Sequence, residues 1–167
     1  MRTIVLMGFM GAGKSTIGKR LAAAMNCEFI DTDNYIEKEQ GRKISDIFEK
    51  DGEAAFREME TDLLKRLQKR DDAFVLSLGG GMPVREENRR LLRNLGCVVY
   101  LKTSKEEIIR RVSGDVNRPL LQGGGLEEKV TALMNVREMI YVETAHKEVI
   151  TDGKSVEELV VEIQKNV

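Results

Sequence analysis

The chain has 167 residues, 41% of them hydrophobic and 33% charged, a mixture that suits one folded domain over residues 1–167 and disfavours intrinsic disorder. Lysine and arginine number 27 and aspartate and glutamate 28, a formal charge of −1 that argues against a protein whose main work is gripping nucleic-acid backbones. No stretch approaches the ~20 apolar residues of a membrane span, and Cys27 and Cys97 sit in no CxxC or Cys/His cluster, so they read as small core residues in a reducing, cytoplasmic setting rather than as zinc ligands.

Residues 4–13 are uncharged and follow Met1-Arg2, which superficially resembles a short signal peptide; Gly8, Gly11 and Lys14 fit a strand and a phosphate loop better. Residues 3–7 are predicted to form a buried strand, and Ile17, Leu21 and Met25 mark a helix after Gly13. A second strand over 28–30 runs into Asp31-Thr32-Asp33, followed by short helices over 34–39 and 45–50. The clearest helix covers 54–69, with Phe56, Met59, Leu63 and Leu67 in one apolar stripe. A strand over 74–78 ends in Gly79-Gly80-Gly81; a helix over 86–95 and a strand over 98–101 follow. Thr103 or Ser104 caps a helix to about residue 112, and a glycine-rich loop carries Gly114 and Gly123-Gly124-Gly125. The pattern closes with a helix over 126–142, a strand over 148–150 and a helix capped by Ser155. Short apolar strands alternating with amphipathic helices predict an α/β fold with a mostly parallel sheet, whose ligands bind beyond the carboxyl ends of the strands.

The motifs fall at those ends. Residues 8–15, GFMGAGKS, satisfy G-x-x-x-x-G-K-[ST] between a strand and a helix. Glycines at 11 and 13 let backbone N–H groups of Gly11, Ala12, Gly13, Lys14, Ser15 and Thr16 turn toward phosphate oxygens, at a helix N-terminus that adds positive potential. Lys14 is placed to reach the β- and γ-phosphates and the Ser15 hydroxyl to ligate Mg²⁺. No N-K-x-D guanine signature is present. Asp31 and Asp33, two residues apart, face the same way if the chain there is extended; one would then serve Mg²⁺ and the other an attacking hydroxyl, or Asp33 would simply cap the helix that follows. Ser77 stands where many phosphate-loop enzymes carry an acidic residue near Mg²⁺, which shifts the metal toward Ser15 and Asp31. The triglycine permits either a tight turn or close approach to a ligand. Arg89, Arg90, Arg93, Lys65, Arg66, Lys69 and Arg70 read as solvated surface, as does His146, whereas Arg57, Arg118 and Arg137 are the arginines whose positions leave room for function.

Together, GFMGAGKST at 8–16, DTD at 31–33, GEAAFREME at 52–60, SLGGGMP at 77–83, NRPLL at 117–121 and RExxYxxxA from Arg137 to Ala145 resemble the shikimate kinase family over essentially the whole chain. The resemblance implies a three-layer α/β/α fold with a five-stranded parallel sheet in the order 2-3-1-4-5 and a mobile lid over about 114–125. It implies an enzyme that uses ATP and Mg²⁺ to phosphorylate the 3-hydroxyl of shikimate, a step toward chorismate and the aromatic amino acids, working as a monomer without nucleic-acid or membrane partners. Carried over by residue, Asp33 binds shikimate hydroxyls and takes the attacking proton, and Arg57 and Arg137 hold the carboxylate. The backbone of Gly79, Gly80 and Gly81 approaches substrate, Arg118 on the lid reaches the transferring phosphate, Arg111 stacks on adenine, and Lys154 lies near the adenine loop. A different small-metabolite kinase, such as gluconate kinase, should lack the Arg57, triglycine and Arg137 constellation; a non-catalytic nucleotide-binding regulator should have lost Lys14, Asp33 or Arg118.

Overall fold

A computed structural model describes residues 2–113 and 125–167. Five strands form one all-parallel sheet: β1 (Ile4–Met7), β2 (Glu28–Asp31), β3 (Phe74–Ser77), β4 (Cys97–Lys102) and β5 (Lys147–Ile150), in the order β2-β3-β1-β4-β5. The register sets Val5 against Leu76 on one side and Val98 on the other. These central strands are buried along their length, as strands covered by helices on both faces must be.

The helices are α1 (Lys14–Met25), α2 (Thr32–Gln40), α3 (Ile44–Asp51), α4 (Glu53–Leu67), α5 (Glu86–Leu95), α6 (Lys105–Val112), α7 (Leu126–Thr144) and α8 (Val156–Asn166), with a short 3-10 turn over Met82–Val84 where the sequence suggested only loop. Helix α1 packs on α8, and α4 on α5, which in turn meets α7. The start signals are local. Ser155 and Glu158 form a reciprocal capping box on α8, and Ser104 caps α6 by accepting from the Glu107 N–H.

One start signal differs from expectation in a way that matters. Helix α2 begins at Thr32, because the Asp31 carboxylate accepts from the Asp33 and Asn34 N–H groups and takes the cap position itself. Asp33 therefore stands in the first helical turn rather than in extended chain or at the cap, and the i, i+2 argument for its direction does not apply.

Several charged side chains read as solvated surface also tie elements together. Arg93 donates to the Glu143, Thr144 and Ala145 carbonyls at 3.0–3.3 Å, satisfying the end of α7. Arg70 bridges Glu28 and Asp72 and lies 4.8 Å over the Phe74 ring, while Arg89 reaches the Pro83 and Val84 carbonyls. His146, expected at the surface, is half-buried between β4 and α7: its Nδ1 accepts from the Val98 N–H at 3.0 Å, so that nitrogen is unprotonated, and burial holds the imidazole pKa below its ordinary value. Cys97 is buried and Cys27 half-buried, both free thiols.

Candidate active site

At the carboxyl edge of the sheet a cavity of about 710 Å³ opens between the loops that follow β1, β2 and β3, within the range of small-molecule sites. It is bordered by Gly11, Ala12, Gly13, Lys14, Ser15 and Thr16 at one end, and by Arg57, Arg137 and the triglycine at the other. Asp31, Asp33, Arg111 and Lys154 also line it. Arg118 and residues 114–124 of the expected lid lie outside the described residues.

The phosphate loop owes its shape to two positive backbone angles, φ 79° at Gly11 and 91° at Gly13, which side chains rarely adopt. Gly13 precedes the first residue of α1, so the helix N-terminus opens toward the cavity. Lys14 Nζ donates to the Gly8 and Phe9 carbonyls, both at 2.9 Å, and so sits folded over its own loop. The Ser15 hydroxyl donates to Asp31 Oδ2 at 2.7 Å. That pair offers two hard oxygens, enough for Mg²⁺, which takes few protein ligands and otherwise binds phosphates and water. Among the described residues no group of three or more His, Cys, Asp or Glu is placed to hold a metal.

Asp33 borders the middle of the cavity. Burial pushes its carboxyl up to about 6, Asp31 adds to the rise, and Lys14 and Arg57 pull against it. Its neighbour Thr32 is fully buried and accepts from the Gly79 N–H at 2.9 Å, which latches the start of α2 to the triglycine.

The three glycines have ordinary backbone angles, so space rather than a positive φ demands them. A Cβ on Gly79 would lie 2.5 Å from Asp33 Oδ1; on Gly80 it would meet Arg137 at 3.1 Å; on Gly81 it would lie 2.3 Å from Arg57. Each glycine thus vacates the room that one site side chain fills.

Arg57 donates to Glu60 at 2.7 Å and to Glu53 at 3.1 Å, with its guanidinium 5.3 Å from the Phe56 ring centroid. Burial works against the Arg57 charge, but the two glutamates outweigh it and hold its pKa above the ordinary value. Arg137 is buried on α7, 5.9 Å from the centre of the Phe9 ring. The buried Tyr141 hydroxyl donates to the Gly80 carbonyl at 2.5 Å and burial pushes its pKa up to about 12, so it stays a neutral donor.

Glu60 stands in the GEAAFREME string at 52–60, but the sequence reading gave it no role. The side chain is fully buried, one oxygen receives Arg57, and the other, Oε1, has no hydrogen-bond partner among the described residues. Desolvation pushes its pKa up to about 7 against the pull of Arg57. The signal was available: Glu60 follows Phe56 by four residues and precedes Leu63 by three, a charge inside a buried stripe.

At the remaining end, Arg111 lies over the phosphate loop, donating to the Gly11 carbonyl at 2.9 Å and to Glu107 at 2.7 Å. Lys154, on the loop between β5 and α8, pairs with Glu162 at 2.6 Å.

A family model described as shikimate kinase matches residues 10–167. A shikimate kinase of Chromohalobacter salexigens is 48% identical over 161 residues, covering 96% of this chain and 89% of the relative. Among solved structures, a shikimate kinase from Acinetobacter baumannii in complex with shikimate superposes with a TM-score of 0.94 at 40% identity, covering 99% of this chain and 92% of that one. A second, from Bacteroides thetaiotaomicron, gives 0.89 at 31% identity, with 99% and 98% covered. The chain belongs to the shikimate kinase family.

Proposed function

We propose that the chain transfers the γ-phosphoryl group of ATP to the 3-hydroxyl of shikimate. The observation that carries the reading is the placement of Asp33, a half-buried carboxylate, between a phosphate loop and two arginines, Arg57 and Arg137, in one cavity. Planar guanidinium forks suit the carboxylate of shikimate, and a carboxylate suits its hydroxyls.

In this reading the nucleotide phosphates lie along residues 11–16, and Lys14 exchanges its loop carbonyls for phosphate oxygens. Arg57, kept in place by Glu60, and Arg137, kept beside Gly80, grip the substrate carboxylate and so fix the ring. Asp33 accepts a hydrogen bond from the 3-hydroxyl and takes its proton as the new O–P bond forms; ADP leaves with the bridging oxygen. Mg²⁺, held by Ser15 and with Asp31 beside it, neutralises charge on the phosphates when bound. The transition state of phosphoryl transfer is loose, so positioning and charge neutralisation do most of the work. The role given to Arg118 rests on the sequence resemblance alone. Its place would be on the transferring phosphate.

The reading is tested by a coupled ADP-release assay with shikimate, quinate and gluconate offered separately. ADP release should depend on shikimate. Release driven by gluconate, or independent of any acceptor, would assign the site to another chemistry.

A further inference from the structure

The nucleotide end of the cavity is framed by three separate elements, and a continuous line of hydrogen bonds joins them. Asp152, on the loop between β5 and α8, accepts from the Ser104 backbone N–H at 3.0 Å and from the Ser104 hydroxyl. The same hydroxyl oxygen accepts from the Glu107 N–H at 3.3 Å, which caps α6. Glu107 receives Arg111 Nε at 2.7 Å, and Arg111 then donates to the Gly11 carbonyl of the phosphate loop at 2.9 Å. Beneath this line the buried Thr103 and Thr151 hydroxyls meet at 2.6 Å, and the Thr151 N–H extends the β4–β5 ladder onto the Lys102 carbonyl at 2.9 Å.

Arg111, Thr151 and Lys154 border the cavity, whereas Asp152, Ser104 and Glu107 do not. Asp152 and Ser104 line a separate, smaller cavity beside α7, and the second group reaches the nucleotide end through the first. We propose that Asp152, Ser104 and Glu107 are positioning residues for the nucleotide: they clasp the β5–α8 loop to the start of α6 and aim Arg111, setting the gap in which the base of a nucleotide is held. The proposal rests on the nucleotide reading of this end of the cavity. Three features favour positioning over mere helix capping. Ser104 alone would suffice as a cap, yet Asp152 holds both its N–H and its hydroxyl. Glu107 spends its carboxylate on the two arginines of the last turn, Arg110 and Arg111, which hold its pKa down at about 2. The line also ends on the phosphate loop and not within α6. Exposed contacts of this kind contribute little to fold stability, so their loss should register in nucleotide affinity rather than in melting temperature.

The test compares Asp152→Ala, Glu107→Gln and Ser104→Thr with the parent enzyme, reading ADP affinity by calorimetry, both KM values and Tm. Asp152→Ala and Glu107→Gln should each weaken ADP binding and raise KM for ATP about tenfold, the loss expected for one hydrogen bond to a charged group. KM for shikimate should stay within twofold and Tm within about 2 °C, and Ser104→Thr, which keeps the hydroxyl, should behave as the parent. If Asp152→Ala does not fold, Asp152→Asn answers the same question through the weakened Ser104 contact. ADP affinity within twofold of the parent in the Asp152 and Glu107 variants, or both KM values rising together with a fall in Tm, overturns the positioning role. A parent that binds no ADP overturns the nucleotide reading itself, and the positioning with it.

Discussion

The half-buried Asp33 carboxyl is pushed up to about 6, chiefly because burial disfavours its charged form. A general base works best with a pKa near the operating pH, so in the proposed reaction Asp33 is ionised at neutral pH yet basic enough to take a proton. The kcat/KM for shikimate should therefore fall as pH drops through about 6 and be level just above it, because the protonated carboxyl accepts nothing. Asp33→Asn should lose this acid limb and lower kcat by about 10²–10⁴-fold, the usual contribution of a general base. A variant that keeps kcat and changes only KM would reduce Asp33 to a binding residue. Arg57 makes a separate claim. Arg57→Lys keeps the charge but loses the fork that spans Glu60 and Glu53 and that the proposed reading turns on the substrate carboxylate. Initial-rate measurements should show KM for shikimate raised about tenfold to a hundredfold, equivalent to ~1.5–3 kcal/mol for a charged hydrogen bond, with KM for ATP within twofold. Equal changes in both would point to a folding defect.

At the scale of elements, the turn after β3 and the start of α2 form one device. Thr32 anchors Gly79, and the glycines leave room for Asp33, Arg137 and Arg57 in turn. A methyl group at each end of the turn should thus produce different defects. Gly79→Ala drives into Asp33 and should lower kcat by roughly tenfold to a hundredfold, the scale of an ångström-level misplacement; Gly81→Ala pushes on Arg57 and should chiefly raise KM for shikimate. Identical kinetics for the two would mean that the turn moves as a whole. Much of this region was legible in the sequence because its signals are local: the phosphate loop lies within residues 8–15, and Ser155 with Glu158 spells a capping box. The start of α2 was not, because Asp31, Thr32 and Asp33 are all acceptable caps and only the observed bonds to Asp31 choose among them. The contacts of Arg93 and His146 were not legible for a different reason: their partners, the end of α7 and Val98, lie about 50 positions away along the chain.

For the molecule as a whole, the parallel sheet gathers these turns on one edge, and the order β2-β3-β1-β4-β5 puts the strands that carry the phosphate loop and the triglycine side by side. Alternation of strand and helix announced the layers, and the strand order came with the family resemblance. Among the described residues no helix is long and apolar enough to cross a membrane. Holding the half-buried Asp33 carboxylate at that edge has a thermodynamic consequence. The Asp33 carboxyl rises from an ordinary pKa of 3.8 to about 6 in the fold, so over that interval the native state binds more protons than the unfolded chain. Stability therefore falls as pH rises from about 4 to 6, by on the order of 2–3 kcal/mol, and stays lowered above. Asp33→Asn removes that cost: its Tm should exceed the parent's by several degrees at pH 8 and by little or nothing at pH 4. A variant less stable at pH 8 than the parent would show that the carboxylate supports the fold rather than burdening it.

The central claim is that this constellation directs one phosphoryl group to one hydroxyl, and the most direct test is the structure of the product. Incubation with ATP, Mg²⁺ and shikimate, followed by phosphorus–proton correlation spectroscopy, reports which ring carbon bears the new ester. The account predicts a single coupling to the proton on carbon 3, and a phosphate on another hydroxyl, or free inorganic phosphate with shikimate unchanged, would contradict it.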